Sequence, residues 1–296
     1  MKPYLALFSS IVAVSFASIF IISCEAPPLS IAFYRLFFTT LLLLPFLLLK
    51  KQSRKELIHL DRSTILFMVL IGCILAAHFS FWITSLTKTS VASSVILVTA
   101  HPILVAPVSY YFLKERISKI NALGITCSIL GVIILVYGNY GLVSLTIDTL
   151  EGNILAMLGG IAAGLYILGG KKMRKTVSIL PYAFVVYAVA TIALLFICLW
   201  YQAPLAYLSM RDYGIILLMA LISGIFGHTL YNWSLAYIRA SVASVFLLGE
   251  PIGSSLLAYA LPWIHQIPSQ YTLLGGAIIL GGIYLTAKNT KDIEVI

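Results

Sequence analysis

The chain has 296 residues, 61% of them hydrophobic and only 10% charged, with a net charge of +9 and a mean hydropathy of +1.03. Soluble domains carry about 25% charged residues, so a soluble fold of this length is excluded and the composition is that of a membrane protein. The positive charge does not mark a nucleic-acid binder, because the Lys and Arg residues sit in short clusters between apolar segments.

A membrane-spanning helix needs about 20 mostly apolar residues. In chain order the segments that fit are 4–24, 29–49, 64–86, 90–112, 119–137, 150–170, 179–200, 213–236, 241–262 and 271–288. Barrel strands are about ten residues long with alternating polarity, so these segments predict ten helices and an all-α integral membrane fold. Lys and Arg in the loops set the orientation. One side collects Lys2; Lys50, Lys51, Arg54, Lys55 and Arg62; Lys114, Arg116 and Lys119; Lys171, Lys172, Arg174 and Lys175; Arg239; and Lys288 and Lys291. The other side holds only Lys88 and Arg211, and Arg35 falls inside the second span. This asymmetry places both termini in the cytoplasm and the chain, multi-pass, in the cell membrane.

Cys24, Cys73, Cys127 and Cys198 lie far apart in apolar stretches, without a CxxC pair or a metal-ligand spacing. They read as small apolar fillers. The sequence contains no Walker A loop, no GxGxxG after a strand and no HExxH. No metal and no cofactor is therefore expected, and any transport is downhill, an exchange or coupled to an ion gradient.

The chain repeats itself. Ser90-Val91-Ala92-Ser93 recurs as Ser241-Val242-Ala243-Ser244, an offset of 151. The same offset carries Trp82 onto Trp233, Lys88 onto Arg239, Gly124 onto Gly275 and Gly131 onto Gly282. The second copy is two residues shorter before its proline, so His101-Pro102 falls on Glu250-Pro251. Each copy holds five spans, an odd number, so the second enters the membrane from the opposite side. The expected organisation is two five-helix inverted-topology halves, 1–140 and 147–288, followed by a short cytoplasmic tail, 289–296. Inverted halves with a site near the midplane are a frequent transporter architecture.

Several stretches resemble one family. "LKERISKINALGITCSILGVIIL" (113–135) is similar to a Leu-Gly-Glu-Arg-plus-glycine signature, here with Lys114 in the glycine position. "PPLSIAFYR" (27–35) resembles a Pro-to-Arg stretch of the second span, and "AAGLYILGGKKM" (162–173) a sixth span ending in basic residues. Together with the "SVAS…P" span in each half, they resemble the EamA-type branch of the drug/metabolite transporter superfamily. One departure is Trp263-Ile264-His265-Gln266, where a Gly-Glu pair is common. The resemblance implies a ten-helix carrier of small metabolites, with amino acids or related compounds exported by many members.

Polar residues inside the spans are functional candidates. A carboxylate at mid-span costs roughly 2.5–3.5 kcal/mol on insertion scales, so Glu250 needs a reason. It is read as a proton carrier or a ligand for a substrate amine; the alternative is a carboxyl bonded to a neighbouring helix. His101, its repeat partner, is a second proton-coupling candidate. His78 and Trp82 share a helix face at i, i+4, with Phe79 beside them, and His228, Tyr231 and Asn232 form a similar face at i, i+3, i+4. With Tyr166 these suit a small amphiphilic solute. Trp82 alone is also readable as an interface anchor. For Arg35 three readings stand: reaching the outer interface, pairing with Glu25, or binding a substrate carboxylate or phosphate. Gly124, Gly131, Gly275, Gly276, Gly281 and Gly282 form small-residue faces on the fifth and tenth spans, fit for packing inside each half or for a homodimer contact. The expected function is a secondary transporter, not an enzyme, with a small solute and membrane lipid as its partners. The alternatives are an intramembrane enzyme on a lipid-linked substrate, or a carrier of sugars, phosphorylated metabolites or lipophilic cations.

Overall fold

The structure, a computed structural model, describes residues 2–85, 87–89, 94, 97–140, 147–262 and 267–288. Ser90–Ser93 of the repeat motif, the Trp263–Gln266 stretch and the tail 289–296 lie outside the described residues. All regular structure described is helical. In chain order the helices are α1 (Pro3–Ser23), α2 (Pro28–Leu49), α3 (Lys51–Ile58), α4 (Arg62–Ser85), α5 (Leu97–Phe112), α6 (Lys119–Tyr140), α7 (Ile147–Met173), α8 (Ile179–Trp200), α9 (Met210–Ser234), α10 (Ala240–Ala260) and α11 (Gln270–Lys288). Eight of them are long and apolar enough to cross a membrane: α1, α2, α4 and α7 to α11. The other two expected spans appear as shorter apolar helices, Leu97–Phe112 and Lys119–Leu135. Large apolar side chains such as Phe46, Leu66 and Phe196 lie on the outside of the bundle, where a lipid-facing surface needs them.

The helix ends follow from local chemistry. Pro3, Pro28 and Pro251 occupy first-turn positions, where a missing backbone N–H leaves no bond broken. Ser209 accepts the Asp212 N–H at the start of α9. Asp61 accepts the Thr64 N–H at the start of α4, and this bond with that from Ser63 holds its carboxyl well below the usual carboxylate range. The loop between α2 and α4 contains the basic helix α3. Glu56 of α3 accepts the Ser178 N–H at 2.6 Å and its hydroxyl, tying α3 to the first turn of α8.

The packing follows the offset seen in the sequence. The bounds of α2 and α8 are 151 residues apart at both ends, and so are the starts of α6 and α11. α4 packs along α7, and α1, the offset equivalent of α7, packs along α9, that of α4. At the contact of α2 with α8, Thr40 Oγ1 lies 3.5 Å from Thr191 Oγ1, 151 positions away. At the contact of α6 with α11, the Ser128 hydroxyl donates to the Ile279 carbonyl at 3.4 Å, again across 151 positions.

The glycine faces meet each other within the chain. A Cβ at Gly124 would fall 2.6 Å from the Gly282 carbonyl oxygen, and one at Gly131 would fall 2.8 Å from that of Gly275. As α6 advances from 124 to 131, α11 runs back from 282 to 275, so the two helices are antiparallel and almost in backbone contact. These four glycines are covered by the other half of their own chain, across the α6–α11 crossing rather than inside either half. Among the six, Gly281 has open space where a side chain would be.

Candidate functional site

Two helices break at the places where the sequence set its buried ionisable residues. In α5 the helix turns at Ala100 and His101 and resumes at Pro102, with Ile103 and Leu104 N–H bonded three residues back, to Ala100 and His101. In α10 a short 3₁₀ turn, Leu247–Gly249, precedes Glu250 and Pro251. Proline supplies no N–H and cannot continue an unbroken ladder, so each break is written in the sequence. Irregular backbone at membrane depth is tolerated only in buried protein or along a cavity. α9 is irregular too: Ala220–Thr229 is a π segment, which ends just beyond His228.

These irregular stretches surround a cavity of about 230 Å³. Among the expected residues, Arg35, His78, Trp82, His101, Tyr166, His228, Tyr231 and Glu250 all line it. They come from α2, α4, α5, α7, α9 and α10. α1 adds Ser18, and α10 adds Ser254 and Ser255 one turn past Glu250. None of these serines was singled out in the sequence. The signal was a pair of small polar residues, Ser15 and Ser18, opposite the Gly253-Ser254-Ser255 run. The Ser254 hydroxyl donates to the Ser15 carbonyl at 3.0 Å, and a Cβ at Gly253 would strike Ser15 Oγ at 2.1 Å.

Asn232 does not line the cavity; this corrects the expectation. Its side chain stands behind the wall, with Nδ2 donating to Tyr166 Oη at 2.5 Å, Tyr187 Oη at 3.1 Å and the His228 carbonyl at 2.8 Å. The physical reason is the helical step: Asn232 points about 100° round the helix from Tyr231, so Tyr231 faces the cavity while Asn232 faces α7 and α8. Tyr187 was not picked out in the sequence, since one tyrosine in an apolar helix carries no pattern.

Arg35 is 1% exposed and neither reaches an interface nor pairs with Glu25. Glu25 instead lies 3.6 Å from Arg211, both exposed. The Arg35 guanidinium sits 4.6 Å over the Phe79 ring, a cation–π contact that fixes its plane. Around it runs an aromatic chain: Trp82 stacks on His78 at 5.9 Å, His78 touches Phe79, and Phe79 meets His228 edge-on at 5.8 Å. Trp82 is thus part of the wall, not a membrane-interface anchor. His78 Nδ1 lies 2.9 Å from the Gly159 carbonyl. A carbonyl only accepts, so Nδ1 carries the proton and Nε2 of the neutral ring is an acceptor.

Several polar atoms buried at this wall have no hydrogen-bond partner among the described residues: Arg35 Nη1, Trp82 Nε1, His101 Nδ1 and Tyr231 Oη. Buried polar groups are normally satisfied, and a cluster of unsatisfied ones requires an explanation. Near Pro3, Tyr4 packs against Phe246, ring centroids 6.0 Å apart. Polar bonds join neighbouring helix ends. The buried Glu115 carboxylate accepts the N–H groups of Ala240 and Ser241 at 2.8 and 3.3 Å, and the Ser241 hydroxyl at 3.2 Å. Arg174 Nε donates to the Asn232 carbonyl at 3.1 Å, at the last turn of α9.

A bundle of apolar helices around a largely apolar cavity with a few inward polar groups defines a multi-pass membrane protein. The EamA-like transporter family matches this chain twice, over residues 2–137 and 150–288. The chain belongs to that family. It is similar to an uncharacterized transporter of Archaeoglobus fulgidus, 26% identical over 292 residues and covering 95% of each chain. It is also similar to the uncharacterized transporter YoaV of Bacillus subtilis, 27% identical over 271 residues, covering 88% of this chain and 87% of YoaV. A solved crystal structure superposes with a TM-score of 0.80 at 17% identity, covering 97% of this chain and 96% of the other, a likeness of fold.

Proposed function

We propose that the protein is a secondary carrier that exports a small metabolite, an amino acid or a related compound, across the cytoplasmic membrane by alternating access. The observation that carries this reading is the cavity itself, walled by helices of both halves, set at the breaks of α5 and α10 and holding unpartnered polar atoms. In this reading the ten expected spans form two inverted halves, 1–140 and 147–288, with both termini in the cytoplasm. The antiparallel crossing of α6 and α11 and the contacts between residues 151 apart support it. Two near-equivalent halves exchange roles at little energetic cost, which is what alternating access needs. The solute occupies the cavity between His101 and Glu250, the two residues at the helix breaks. In this orientation the end near Pro3 is cytoplasmic. Glu250 carries a coupling proton, with His101 as the second candidate. Gradients drive net flux.

Counterflow tests the reading. Liposomes holding the purified protein are loaded with a pool of unlabelled amino acids, and labelled traces are offered outside. Protein-dependent accumulation of label is expected. Glu250→Gln should still exchange label but lose its response to an imposed pH gradient; unchanged pH response in that variant removes the proton role. No accumulation from the amino-acid pool turns the search to sugars, phosphorylated metabolites and lipophilic cations. Product formed from a lipid-linked substrate overturns the carrier.

A further inference from the structure

The cavity wall carries one positive and one negative side chain among the described residues, Arg35 and Glu250. They form no ion pair with each other, since the charged atoms of such a pair would lie within 4.0 Å. Two opposite charges in a small enclosed space ordinarily neutralise one another, because an unpaired buried charge is costly. Here Arg35 sits over the Phe79 ring, with Nη1 unpartnered. Trp82 Nε1, which can only donate, is also unpartnered, as is Tyr231 Oη, which is able to donate. The Arg35 guanidinium, on the cavity wall and without an ion-pair partner, therefore calls for an acceptor-rich anionic group. Glu250, opposite in charge, calls for a donor-rich cationic one.

Building on the carrier reading above, we infer that the solute is recognised by its zwitterionic head group, its carboxylate on Arg35 and its ammonium on Glu250. A planar guanidinium held by a ring is preorganised for a carboxylate, which it engages with two parallel N–H bonds. Glu250 repels a dianion, so a phosphate monoester is disfavoured although Arg35 alone would accept it. An organic cation without a carboxylate leaves the Arg35 charge buried and unanswered, and an acid without an amine leaves Glu250 in the same condition. The head group thus replaces the ion pair that the two residues do not make with each other. Arg35 and Glu250 are in this sense specificity-determining residues: removal of either should change which solutes bind, not only how well.

The experiment is a head-group series on the full-length protein in detergent, read by thermal stabilisation and by competition in counterflow. The twenty common amino acids are screened first. The best of them is then compared with its decarboxylated amine and its deaminated acid, which share the side chain. Each truncated compound should bind about tenfold more weakly or worse, as expected when a buried charge loses its partner. In Arg35→Gln the preference for the amino acid over the amine should vanish, and in Glu250→Gln the preference over the deaminated acid. Arg35→Lys, which keeps the charge and loses the fork, should retain part of it. If the amine matches the amino acid in the unaltered protein, or the variants keep its selectivity, the assignment is wrong. If no amino acid binds but a sugar or an organic cation shows counterflow, the carrier stands and the head-group inference falls. If no solute of any class exchanges, the carrier reading falls with it.

Discussion

The hydroxyl of Ser128 donates to the carbonyl of Ile279 at 3.4 Å, joining two residues that are 151 positions apart in a chain that repeats with that offset. This bond marks the centre of the α6–α11 crossing. On either side of it stand Gly124 against Gly282 and Gly131 against Gly275.

Gly282 is accordingly the most sensitive glycine of the seam. A Cβ there would lie 2.2 Å from Ser128 Oγ and 2.5 Å from the Gly124 carbonyl oxygen, and backbone cannot swing aside. Gly282→Ala should cost about 1–3 kcal/mol through overpacking, seen as a lower thermal midpoint in detergent. Gly281→Ala, its neighbour with nothing within 4 Å, should hold or raise the midpoint, since alanine favours a helix by about 1 kcal/mol. Equal melting of Gly282→Ala and the unaltered protein would contradict the close crossing.

Lys114 stands where the family signature carries glycine, and its φ is 57°. A left-handed conformation costs an ordinary residue roughly 1–2 kcal/mol, which glycine avoids while losing some entropy on folding. Lys114→Gly should therefore raise the thermal midpoint, and Lys114→Val, branched at Cβ, should lower it. The side chain is exposed, so no lost contact confuses the comparison. The reverse order of midpoints would show that the turn is not held in this conformation.

Glu115 binds the first turn of α10 from a different helix connection, accepting from two backbone N–H groups and one hydroxyl. A carboxylate at a helix start both caps it and meets the positive end of its dipole. Glu115→Ala should cost about 1–2 kcal/mol on this basis, and Glu115→Gln less. Ser241→Ala removes only one of the three bonds and should cost least. A graded set of midpoints is the expected result; Glu115→Ala equal to the unaltered protein would refute the cap.

Asn232 supports the wall without facing the solute. Asn232→Leu leaves the Tyr166 hydroxyl without its bond and weakens the set around Tyr187, a loss of about 1–3 kcal/mol for buried groups left unpaired. Exchange should slow and the midpoint should fall, while the ranking of competing solutes stays as it was. A changed ranking would put Asn232 on the solute side of the wall.

Much of this fold was legible in the chain by itself. Length and hydropathy are local properties, so the apolar helices could be read directly, although the spans 90–112 and 241–262 were read as unbroken where α5 and α10 fail. The offset of 151 was legible as well, since matched side chains recur along the sequence whatever their contacts. The cost of burying charge singled out Glu250 and Arg35 before any neighbour was known. The neighbours themselves were decided only in three dimensions. Whether Arg35 met Glu25, the interface or a ring depended on where α4 placed Phe79, and that is a matter of helix packing. Whether the glycine faces met each other or another molecule depended on the crossing of α6 and α11, which no single span encodes. Asn232 was misplaced because positions i, i+3 and i+4 share only a broad face, with Tyr231 and Asn232 about 100° apart on it, and packing decided which part met the cavity. Ser18, Ser254 and Ser255 went unnoticed for a related reason: a serine is common in any span, and it becomes a wall of the cavity only when two helices bring it there.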